Sequence, residues 1–128
     1  MTLALYYLGL SALCAHEMDA VMQTEWRLLY LLRTLPDEQA YPLFVALHVP
    51  LFYLFFWLSH HSNALIRGRF RLAVAAFLVI HAGLHLRLSG DEAYRFDGPF
   101  SNGLIWLSAL CGFGYLVMTL LKYRENRP

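Results

Sequence analysis

Leu104-Ile105-Trp106-Leu107-Ser108-Ala109-Leu110-Cys111-Gly112-Phe113-Gly114-Tyr115-Leu116-Val117-Met118-Thr119-Leu120-Leu121 runs from loop to tail without one charged side chain. A helix needs about 20 mainly apolar residues, with a range of roughly 17–25, to cross the hydrocarbon core of a bilayer. This stretch meets that requirement, and three more segments read the same way. They run from about Leu3 to Met22, from Pro42 to Leu58 and from Leu72 to Leu88. The second contains the run Leu51-Phe52-Tyr53-Leu54-Phe55-Phe56-Trp57-Leu58. The first carries His16, Glu17 and Asp19 near its end. The expected fold is all-α: one domain over residues 1–128, a membrane-embedded four-helix bundle.

Composition supports that solvent. Of 128 residues, 59% are hydrophobic and 15% charged, against about 45–50% and about 25% in soluble domains. So small a soluble domain has too much surface to hide this apolar content. Disorder requires the opposite balance. Ten Lys+Arg against nine Asp+Glu leave +1, which is no electrostatic footprint for nucleic acid. Cys14 and Cys111 sit in apolar runs and read as buried thiols. Met1-Thr2 supplies no basic n-region, so the first segment reads as an uncleaved span.

Between the first two spans, Leu28, Leu31, Leu32 and Leu35 recur at helical spacing, with Thr24 as a cap and Pro36 as a stop. This predicts a short interfacial amphipathic helix with Trp26 and Tyr30 at headgroup level. Arg67, Arg69, Arg71, Lys122, Arg124 and Arg127 share one side with the single acid Glu125. The other side holds Arg27, Arg33, Arg87 and Arg95 with the other eight acids. The positive-inside bias places both termini in the cytoplasm, in a multi-pass protein of a bacterial cytoplasmic (inner) membrane. Asp97-Gly98-Pro99 is a turn signal, Ser101 or Asn102 a candidate cap, and Ser108 with Gly112 a small-x-x-x-small pair.

Ionisable residues inside spans are costly and usually mark a function. They are His16, Glu17, Asp19, His48, His81 and His85. At about 1.5 Å per residue, His48 lies about 9 Å below the outer end of its span. His85 lies about 4–5 Å below its own outer end and His81 about 10 Å. With His16 near the end of the first span, all four histidines fall in the outer half. His81 and His85, four apart, share a helix face. Pro50, two residues after His48, can kink its helix. His60 and His61 read as solvated neighbours of the arginines.

Imidazole is the commonest metal ligand, and carboxylates complete hard or borderline sites. The expected metal ligands are His16, Asp19, His48, His81 and His85, with zinc or iron as the ion. Asp19 or Glu17 could alternatively orient an imidazole. Glu17 and Glu25 are the candidate catalytic acid or base groups, and Arg27 could bind an anionic substrate or headgroup. An open metal position would make a water nucleophile for hydrolysis. Hydrolase or oxidoreductase chemistry on an apolar or lipid-like substrate is the leading expectation. One shared centre requires the imidazoles to come within about 5 Å of a common point. His16-Glu17-Met18-Asp19-Ala20 begins like H-E-x-x-H, but Ala20 stands where the second histidine is needed. His81-x-x-x-His85 is one histidine box, whereas membrane desaturases carry several. A haem-b reading would pair His48 with His81 or His85, leaving the acids of the first span without a role. A non-catalytic accessory or structural subunit would use the same side chains as a buried hydrogen-bond network.

His16-Glu17-x-Asp19-Ala20, Glu25-Trp26-Arg27, His48-x-Pro50 and His81-x-x-x-His85 with Ser89-Gly90 together resemble a family of small bacterial four-span membrane proteins of unknown function. The resemblance covers nearly the whole chain. It implies a bacterial integral membrane protein and no established activity. The first motif is also similar to the HXXEE-type membrane proteins, although its acids fall at different spacing.

Overall fold

The computed structural model describes residues 2–125. Four helices form in chain order: α1 (Thr2–Met22), α2 (Asp37–Ser59), α3 (Ala64–Leu88) and α4 (Pro99–Glu125). Among the described residues there is no strand. Helices α2, α3 and α4 are each long and apolar enough to cross a membrane. Helix α1 falls outside that set, because His16, Glu17 and Asp19 dilute the apolar character of its last third. Arg127 lies outside the described residues.

The helices outrun the apolar stretches. Helix α2 starts at Asp37 rather than Pro42, and it carries Pro42 and Pro50 internally. Helix α3 starts at Ala64, where the Asn63 side chain accepts from the Leu65 and Ile66 amides at 2.9 and 3.3 Å. That cap satisfies orphan donors of the first turn. Pro99 opens α4, where a missing N–H costs nothing. The expected caps of α4 do different work. Asn102 donates backwards to the Phe96 and Gly98 carbonyls, tying down the preceding loop, and Ser101 is simply buried.

The segment between α1 and α2 corrects the expectation of a continuous amphipathic helix. It contains only two 3-10 turns, Glu25–Arg27 and Leu32–Thr34. Thr24 makes no capping bond; it takes the left-handed conformation at φ 55° and reverses the chain. Trp26 is buried: its indole donates to Asp37 at 2.9 Å and packs on Tyr41 and Phe44. Arg27 also pairs with Asp37, at the surface, so that carboxylate is the anchor of the whole segment. Tyr30 is exposed.

Helix α4 packs closely on α1 and α3, whereas α2 touches its neighbours more sparsely. The close packing rests on glycine. A Cβ at Gly112 would lie 2.7 Å from the Ala75 carbonyl and 2.9 Å from Leu78 Cβ. One at Gly9 would meet Leu78 and Cys111 at 2.8 and 2.9 Å. Ser108 and Gly112 are both buried at this seam, which gives the small-residue pair a packing role. Two apolar cores result. One gathers Tyr6, Leu13, Leu78 and Tyr115; the other gathers Trp26, Phe44, Phe96 and Ile105. At the first core's end, Tyr6 shares a hydrogen bond with Ser59, and Arg71 donates to Tyr7 and to the Ser59 carbonyl. His60 belongs to this lock too, stacked on Tyr7 and bonded to its hydroxyl at 2.8 Å, rather than being merely solvated.

Candidate metal centre

Three imidazoles meet where α1 faces α3. The stripe of Gly9, Ala12 and His16 is buried, its small residues bringing α1 close enough for the histidine to reach across. The His16 ring lies 5.0 Å from that of His81 and 4.8 Å from that of His85, centroid to centroid. His81 and His85 are 4.7 Å apart, as four-residue spacing on one helix requires. The fourth member comes from outside the helices. The turn at Thr24 sends Glu25 back under the end of α1, where its carboxylate lies 4.0 Å from His16 Nε2 and 3.7 Å from His85 Nε2. His16, Glu25, His81 and His85 each offer a ligand atom within 4.8 Å of the others.

Several of their polar atoms are also left without partners. Both ring nitrogens of His16, Nδ1 of His81, Nε2 of His85 and Oε2 of Glu25 are buried with no hydrogen bond. A buried polar group without a partner costs about 1–3 kcal/mol, and four neighbouring residues share that condition here. Zinc bonds of about 2.0–2.2 Å set tetrahedral ligand atoms about 3.4 Å apart. The observed separations need only small side-chain adjustments to reach that. Burial pushes the Glu25 carboxyl up to about 8; the nearby Glu17 carboxylate adds to the rise and His48 opposes it. A cation among the imidazoles would hold it ionised.

The ligand group differs from the set expected from the sequence. Asp19 stands outside it: its Oδ1 accepts from Gln23 at 3.1 Å, and its buried Oδ2 has no hydrogen-bond partner. His48 also stands outside, because both its nitrogens are occupied. Nδ1–H donates to the Phe44 carbonyl at 2.7 Å, and Nε2 meets Glu17 Oε2 at 2.9 Å. A carbonyl only accepts, so Nδ1 carries hydrogen and one further proton must lie between Nε2 and the Glu17 oxygen. Glu17 and His48 nevertheless line the same cavity as Glu25, His81 and His85. Sequence reasoning missed Tyr94 and Phe96. The Tyr94 hydroxyl lies 3.4 Å from His85 Nδ1, and Phe96, fully buried, packs on the rings of His16 and His85. Two large aromatics in an otherwise charged loop were the available signal.

Thr24 positions Glu25, and a β-branched residue in the left-handed region is strained by about 1–2 kcal/mol. Thr24→Gly should therefore keep the turn and retain metal affinity. Thr24→Pro cannot adopt a positive φ, and should lower affinity as much as Glu25→Ala does, by more than the roughly 10- to 100-fold that loss of a merely orienting group costs. Metal titration of the three variants checks this.

A sequence-family model matches residues 2–122, which include every member of this cluster. The chain belongs to DUF6713, a family of unknown function. For this DUF6713 member, no curated protein and no solved structure matches.

Proposed function

We propose that the chain is a small integral membrane protein that holds one divalent transition-metal ion on His16, Glu25, His81 and His85 and uses it on an apolar substrate. One observation carries the reading: four potential ligand atoms converge within 4.8 Å, and most of the buried ones have no other partner. The concentration of unpaired atoms supports it: five of the seven buried side-chain atoms without a partner among the described residues belong to these four residues. Polar groups with a purely structural task are paired, as in Tyr6 with Ser59, Arg71 with Ser59 and Trp26 with Asp37. The cluster is not. Three imidazoles and a carboxylate suit zinc or non-haem iron. The ion would serve as a Lewis acid, and as an activator of water when a coordination position opens.

In this reading α1 crosses the bilayer with α2, α3 and α4. The arginines in the first turns of α3 and the basic tail face the cytoplasm of a bacterial cell. The cluster then lies in the outer half of the membrane. Elemental analysis of gently purified, detergent-solubilised protein tests the proposal. One zinc or iron per chain is expected, and metal-free protein that fails to take up either ion would end it.

A further inference from the structure

The cluster stands between two cavities of different chemistry. One, of about 310 Å³, is a cleft between α2 and α3. Its walls are almost wholly hydrocarbon, and its polar surface is confined to the cluster and the Glu17–His48 pair. It runs from Phe77 to Leu88 along α3, roughly 16 Å at the helical rise. Leu47 and Leu84 on its rim are exposed, so the cleft is continuous with the lipid-facing surface of two membrane-crossing helices. The second cavity, of about 180 Å³, lies on the other side of His85 and is about half polar, with Ser89, Tyr94, Asp97 and Asn102 beside the apolar Leu86 and Trp106. His85 belongs to both walls.

A long apolar slot with its only polar surface at the cluster fits a molecule with a hydrocarbon tail and one reactive polar group. A polar chamber behind the same histidine fits water. Resting on the metal reading above, we infer that the cluster hydrolyses a long-chain acyl ester or amide that enters from the bilayer through the α2–α3 cleft, with water supplied from the polar chamber beside Tyr94. The water oxygen bonds to the acyl carbon, and the bond from that carbon to the leaving oxygen or nitrogen breaks. One water proton goes to the leaving alcohol or amine; the other stays on the carboxylic acid or is released. No electrons are exchanged, and water is the only co-reactant.

The test uses zinc-loaded full-length protein in lipid vesicles with p-nitrophenyl palmitate, N-palmitoyl p-nitroanilide and p-nitrophenyl acetate. Metal-dependent hydrolysis of at least one palmitoyl probe, at least 10-fold faster than of acetate, is expected. Leu84→Trp should raise KM for the palmitoyl probe about 10-fold with metal content unchanged. Ser89→Trp, at an exposed position on the chamber rim, should lower kcat with KM unchanged. As a readout without turnover, palmitate bearing a terminal diazirine should photolabel α2 and α3 at the cleft, and Leu84→Trp should abolish that labelling. Metal-loaded protein that hydrolyses neither palmitoyl probe, or hydrolyses acetate equally well, overturns this inference and leaves the metal reading standing. Labelling spread evenly over all four helices also overturns it. Failure to load metal overturns both.

Discussion

His16→Ala is expected to abolish stoichiometric metal binding, lowering affinity by more than about 100-fold. Removing a group that merely orients a ligand already costs about 10- to 100-fold, and His16 is the ring that touches both partners from the opposite helix. It is fully buried, with neither nitrogen otherwise engaged. The alanine variant also leaves a hollow beside Phe96, so some loss of stability accompanies it. His85→Gln keeps most of the volume and should show the same loss of metal without that defect. His48→Ala supplies the contrast: its nitrogens are committed to Phe44 and Glu17, so metal stoichiometry should survive. Metal content after gel filtration reads all three. Retention by His16→Ala together with loss by His48→Ala would refute the ligand assignment.

Gly112→Leu should produce the largest loss of stability, about 3 kcal/mol or more. Overpacking a tight interface costs about 1–3 kcal/mol when side chains can yield. Here the first clash is with a backbone carbonyl, Ala75 O, which moves only if α3 moves. Glycine-to-alanine changes in open helical positions gain about 1 kcal/mol from propensity, far too little to offset that. Gly103, with nothing within 4 Å of its virtual Cβ, is the control, and Gly103→Leu should be tolerated. Denaturant midpoints in detergent compare the two. Because α3 carries His81 and His85, Gly112→Leu should also weaken metal binding; equal midpoints for the two variants would contradict this account of the seam.

The candidate site was only partly legible in the sequence. His81 and His85 were readable as a pair because helical spacing alone puts them on one face. His16 was readable from the stripe of small residues leading to it. Its approach to α3 depends on how closely α1 and α4 pack, and Gly9 and Gly112 govern that. The exchange of Asp19 and His48 for Glu25 was not readable. Side chains of equal chemical suitability differ only in what lies opposite them. Gln23 takes one oxygen of Asp19, Glu17 takes His48, and a left-handed threonine turns Glu25 inward.

The chain's apolar runs, by their length, were sufficient to specify four long helices, of which three are long and apolar enough to cross a membrane, because hydrogen bonding within an apolar segment leaves a helix as its simplest stable form. Charge distribution was likewise sufficient for a testable orientation. Tertiary structure alone decided which polar atoms remain unpaired. Pairing depends on the separation and rotation of helices, at the scale of a single hydrogen bond, and no sequence period encodes it. The concentration of unpaired buried atoms on four residues whose ligand atoms converge is what marks His16, Glu25, His81 and His85 as the candidate centre.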